Sequence, residues 1–149
     1  MLKTSKLTFL LLIFLSFDMS SNTLSLLCKG EATVADVGQL AGDVTVTSIE
    51  SRKNYAEIIL RFEDGFKKGF IQLPSIMRPN IGGKKIDTWE LTDILSSDNE
   101  IKANFRMNFA NKPNISISRV TGRMEYKSRA FPKDFAGDCE VVNLEEKKF

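Results

Sequence analysis

The chain has no histidine. Without an imidazole, neither a Ser-His nor a Cys-His nucleophile can be assembled, and the common zinc sites lose a principal ligand. Cysteine is nearly as scarce. Only Cys28 and Cys139 occur, too far apart in sequence for the close-spaced pairs that bind metal or carry redox chemistry. One tryptophan and two tyrosines cannot furnish the aromatic girdles of an outer-membrane barrel, and Asn143, Glu145 and Lys147 stand where its last strand would need apolar residues. No P-loop, dinucleotide fingerprint or EF-hand loop occurs. The acidic residues are scattered; Glu57, Asp64, Asp98 and Glu100 fall at polar phases of strands or in turns and read as solubilising charge. These absences argue against an enzyme, so no catalytic residue, metal or cofactor is expected.

Long apolar runs are absent too, except at the start. Lys3 and Lys6 precede the run from Leu7 to Phe17, which ends before Asp18 and a stretch of small polar residues. The run of roughly eleven residues covers about half of a hydrocarbon core, too little for a stable membrane anchor. It has the anatomy of a secretory signal, with residues 1–21 as the leader and cleavage between Ser20 and Ser25. Lipidation at Cys28 is disfavoured because Leu27, a large residue, precedes it. Residues 22–149 then form one β-rich domain in a periplasmic or secreted setting. With Lys3, Lys6 and Asp18 removed from the 21 basic and 19 acidic residues, 19 and 18 remain. That balance gives no footprint for nucleic acid.

In an oxidising compartment the two cysteines are expected to form a disulfide, Cys28 to Cys139. A loop of about 110 residues closed in this way is stabilised by roughly 4 to 5 kcal/mol in the chain-entropy picture.

The positive signals are those of strands. Ile101, Ala103, Phe105, Met107 and Phe109 alternate with polar residues, predicting a half-buried strand over 101–109. Ala56, Ile58, Leu60 and Phe62 alternate likewise, and Asp64-Gly65 predicts a tight hairpin into a return strand over 66–73. Segments 43–50 and 135–142 also read as strands, the second with Phe135, Cys139 and Val141 on one face. Residues 74–85 and 127–134 read as loops. Over 87–95, Asp87 and Glu90 fit a capped helix, but Trp89 and Leu91 fit a strand hairpinned to the next, which is preferred. Seven to nine short strands without a long helical pattern predict an all-β fold, an antiparallel barrel or a sandwich. The barrel is preferred, because a disulfide joining the two ends suits a sheet closed by its first and last strands.

Two features suggest binding. In Ile115-Ser116-Ile117-Ser118-Arg119-Val120-Thr121-Gly122, strict alternation turns Arg119 inward, which makes Arg119, Thr121 and Gly122 a candidate site for an anion or a partner. A bulge returning Arg119 to water, or an internal salt bridge, is the competing reading. The loop over 74–85 places Ile76 and Met77 beside Arg78, Lys84 and Lys85, either as an interaction loop or as a cover for one barrel end.

Leu27-Cys28-Lys29-Gly30, Arg119-Val120-Thr121-Gly122 and Gly137-Asp138-Cys139 together resemble a family of small, uncharacterised exported β-rich proteins of Gram-negative bacteria, in which a C-x-G start, an R-x-T-G segment and a G-x-C end recur. A weaker resemblance is to periplasmic lysozyme inhibitors, small barrels with a Ser-Gly motif and a nearby Tyr. Thr121-Gly122 followed by Tyr126 is the nearest match here, without the Ser and at different spacing. The expected role is an exported, non-enzymatic binding module for a protein or a small ligand. An inhibitor of a cell-wall lytic enzyme and a small-molecule carrier are the alternatives, and no oligomeric state is implied.

Overall fold

The computed structural model describes residues 23–36, 50–78, 86–129 and 134–143. The leader, residues 1–21, and most of the strand expected over 43–50 lie outside the described residues. Eight strands follow in chain order: β1 (Leu24–Asp36), β2 (Glu50–Glu63), β3 (Lys68–Gln72), β4 (Thr88–Ser96), β5 (Glu100–Phe105), β6 (Asn114–Ser118), β7 (Arg123–Lys127) and β8 (Asp134–Val141). Each pairs with the next, antiparallel throughout, and β8 returns to β1 to close a barrel. The sandwich alternative is thereby excluded. Residues 88–95 belong to a strand rather than a helix, with Trp89 and Leu91 turned inward.

Alternation fills the lumen. Ala56, Ile58, Leu60 and Phe62 of β2 point inward, as do Ile101, Ala103 and Phe105 of β5, while Glu57, Arg61 and Lys102 face solvent. The ring of Phe105 stands between Trp89, at 6.0 Å, and Tyr126, at 5.9 Å. Burying such large rings contributes strongly to the stability of the core. An interior apolar and an exterior charged is the reverse of a lipid-facing barrel.

The barrel closes at β1 and β8. Cys28 lies opposite Cys139 and Gly30 opposite Gly137, so the C-x-G and G-x-C segments are one feature, two antiparallel strands in register. The expected disulfide is present between Cys28 and Cys139. A Cβ on Gly30 would run into the carbonyl oxygen of Ala136 and the Cα of Gly137, so only paired glycines allow this approach.

The antiparallel order sorts the connections to two ends. One end is plugged. A 3-10 turn, Ser75–Met77, lies across it, reaches β1, and sinks Met77 into the core at 1% exposure. Pro113 and Asn111 from the β5–β6 connection are buried at the same end. The other end collects Leu24, Val141 and the turns β2–β3, β4–β5 and β6–β7.

Two expected boundaries move, and one expected inward residue lies at the rim. The return strand after Asp64-Gly65 begins at Lys68 rather than at 66, because Asp64, Gly65 and Phe66 all take positive φ (51°, 64° and 71°) and make a four-residue turn. The strand expected over 101–109 ends at Phe105. Asn108 Oδ1 accepts hydrogen bonds from the backbone N–H of Ala110 and Asn111, at 2.9 and 2.8 Å, and this side-chain-closed turn leaves Phe109 wholly outside. Val141 keeps its phase on β8 but lies at the rim, exposed.

Candidate binding site at the open end of the barrel

Arg119 does not point into the lumen. β6 ends at Ser118, where the Arg119 N–H donates to Asn99 O of the β4–β5 turn at 2.8 Å, and the chain leaves the sheet. Thr121 N–H donates to Ser118 Oγ at 3.2 Å, Arg123 N–H to Thr121 Oγ1 at 3.3 Å, and Gly122 N–H to Ser118 O at 2.8 Å. Gly122 takes φ +74°, which a side chain disfavours. Thr121 and Gly122 therefore build the turn, and Arg119 rides on it.

The guanidinium is fixed from two sides. Its Nη2 donates to Ser96 Oγ at 2.6 Å, and its Cζ stands 4.9 Å from the centre of the Phe66 ring. Phe66 reaches that place from a left-handed backbone, its ring 5.1 Å from that of Phe62 in the core. An aromatic residue at positive φ costs on the order of 1–3 kcal/mol and persists where surrounding contacts hold it. Three separate turns thus converge on one cation. Among the described residues no carboxylate forms an ion pair with Arg119.

Arg119 stands at the edge of a pocket of about 360 Å³. Leu24, Leu26, Ile101, Ile117 and Val141 supply apolar walls, and Cys139 brings the disulfide to the same surface. The volume falls in the range of about 300–1,000 Å³ usual for small-ligand sites. Around this end Leu95, Val120 and Val141 expose large apolar side chains at 68%, 77% and 73%. A second concavity, about 430 Å³, runs along the outside of β2 and β3, between Ile59, Phe70 and Thr88. Its arginine, Arg61, already meets Glu63 at 2.9 Å, so that groove offers no unpaired charge.

The described part of the 74–85 loop, residues 74–78, sits at the opposite end from Arg119. Met77 is a plug and not a contact residue. Arg78 is tied down, donating from Nε to Leu73 O at 2.8 Å with Asp87 Oδ2 3.9 Å from its Nη2. Ile76 is partly exposed; Lys84 and Lys85 lie outside the described residues. Tyr126, matched above to an inhibitory loop, is buried among the core rings. Among the described residues its hydroxyl has no hydrogen-bond partner, the nearby Ser128 hydroxyl donating to Asn111 instead, and burial pushes its ionisation well above the ordinary tyrosine range.

Among the described residues no three His, Cys, Asp or Glu side chains gather to hold a metal ion. Asp93 and Glu100 are held below the ordinary carboxylate range, Asp93 by Lys112 and Asn104 and Glu100 by Lys102 and Ser116, on exposed strand faces. A lowered carboxylate in water is a charge partner, not a general acid. Phe66 and Ser96 were not marked by the sequence, because their contacts to Arg119 join turns remote in sequence. No protein-family model, curated protein or solved structure matches the chain.

Proposed function

We propose that the protein is an exported, non-enzymatic binding module whose contact surface is the open end of the barrel. One observation carries the reading. A concave apolar pocket has at its edge a fixed guanidinium that no carboxylate among the described residues pairs, and it is ringed by exposed Leu95, Val120 and Val141. The Cys28–Cys139 bridge and the leader-like residues 1–21 support a periplasmic or secreted setting. The lumen is filled by Phe62, Phe105, Tyr126 and their neighbours, so a ligand would bind at the mouth and not inside.

The test is capture from the native envelope with the 22–149 protein. Leu95→Asp with Val120→Asp is expected to abolish retention of whatever binds, and Tyr55→Ser, on the remote part of β2, to leave it intact. Retention unaffected by the double variant sinks the reading.

Phe109 favours the lytic-enzyme inhibitor as a second reading. It is 97% exposed at the tip of the Asn108-closed turn, the form of a rigid aromatic anchor for another protein's cleft. Slowing of lysozyme on cell walls by the purified protein, lost in Phe109→Ala, is the outcome this reading requires.

A further inference from the structure

We infer that the open-end pocket takes an amphiphilic anion: a single carboxylate on a flexible apolar chain, with the carboxylate on Arg119 and the chain along Leu26, Ile101 and Ile117. The inference rests on the open end being the contact surface and names what binds there. Two properties of the site select this chemistry.

The first is charge complementarity. Arginine presents five donors in a planar fork, and here one of them is spent on Ser96, leaving the others for an acceptor. The Phe66 ring beneath the guanidinium and Ser96 at its edge hold the plane still, so binding an oxyanion does not have to order a long side chain. Among the described residues no carboxylate competes. Neutral amphiphiles leave the guanidinium unanswered, and cationic ones are repelled.

The second is the wall. The side chains leading from Arg119 are aliphatic, namely Leu24, Leu26, Ile101, Ile117 and Val141, with no aromatic face among them and only Ser118 as a polar side chain besides Arg119. Such a surface offers burial without direction, which suits a methylene chain better than a planar ring or a sugar. A multiply charged anion such as a nucleotide would bring charge that one guanidinium cannot match.

Sodium decanoate, below its micelle concentration, is the probe, read by isoleucine methyl NMR on the 22–149 protein. The signals of Ile101 and Ile117 are expected to move, and those of Ile58 and Ile71, inside the barrel, to stay. Arg119→Gln is expected to weaken binding about tenfold or more and Arg119→Lys to restore part of it. Because Arg119 is exposed, both variants should fold as the parent does. Acetate and decanol should bind more weakly than decanoate, and decyltrimethylammonium least. Movement of Ile59 instead places the chain in the outer groove and overturns the inference, as does equal binding of decyltrimethylammonium or indifference to Arg119→Gln. If capture from the envelope depends on Leu95 and Val120 while decanoate leaves Ile101 and Ile117 unmoved, the contact surface stands and this ligand class falls. If neither responds, both fall.

Discussion

Gly30 and Gly137 face each other in register where the barrel closes, two positions along from the Cys28–Cys139 bridge, with no room for a side chain on either. The closure therefore depends on a backbone contact as much as on the covalent one.

Gly30→Ala is expected to lose about 2–3 kcal/mol, above the usual cost of a surface change, because the obstacle is the Ala136 carbonyl and not a side chain that can swing away. Chemical denaturation of parent and variant gives the difference. A loss under about 0.5 kcal/mol, the ordinary surface value, would mean that the two strands can move apart at little cost.

Replacing both cysteines, Cys28→Ser with Cys139→Ser, is expected to lower stability by about 2–5 kcal/mol, since the bridge joins residues 111 apart. Urea titration of the double variant, beside the parent with and without reductant, checks this. Equal midpoints for all three would show that the strand ladder alone holds the closure.

Tyr126→Phe removes a buried hydroxyl that bonds nothing among the described residues and is expected to leave stability unchanged or raise it by up to about 1 kcal/mol. The same residue gives the alkaline behaviour its sign. Its folded ionisation is raised, so above about pH 10 the unfolded chain releases a proton that the folded one keeps, and stability falls as pH rises. Thermal unfolding from pH 8 to 11 should show a shallower decline in the variant than in the parent.

Acid acts through Asp93 and Glu100. Both are lowered in the folded protein, so their contribution is present above the ordinary carboxylate value and is lost as pH falls below about 4. Asp93 sits at a β-bulge with φ 51° and gathers Lys112 and Asn104 at 2.8 and 3.1 Å. Asp93→Asn should therefore flatten the acid side of the melting-temperature profile; an unchanged slope would assign that side to other groups.

Met77→Ala is expected to cost about 2–5 kcal/mol, the usual range for emptying a buried methionine site, because the plug would leave a cavity between the 3-10 turn and β1. Binding at the Arg119 end should persist under conditions where the variant is folded. Joint loss of both would mean that the two ends are coupled through the core.

The strands were legible where one face is apolar and the other charged, as from Ala56 to Phe62 and from Ile101 to Phe105. β1 was not. Leu26 faces in and Leu27 faces out opposite Ile59, so its sequence shows an apolar run without a period. The direction of Arg119 was missed for a different reason. Alternation holds only while the chain remains in the sheet, and what ends β6 is a hydrogen bond to Asn99, remote in sequence. Phe66 was misplaced into a strand because a left-handed aromatic residue is stabilised by its ring contacts, which no local pattern displays. The disulfide, by contrast, followed from there being two cysteines and from the oxidising destination expected of a chain with a leader-like start.

The pairing of the first strand with the last also sets the order in which the molecule can be made. Local hairpins from β2 to β7 need only neighbours in sequence, but β1 has no second partner until Asp134–Val141 has been synthesised and released. Until then the sheet is an open ribbon with two bare edges, and its closure must bring together segments far apart in sequence, the kind of contact that slows folding. A polypeptide cut short before β8 would not be a slightly weaker barrel; it would be an aggregation-prone sheet, and quality control could recognise it by those edges.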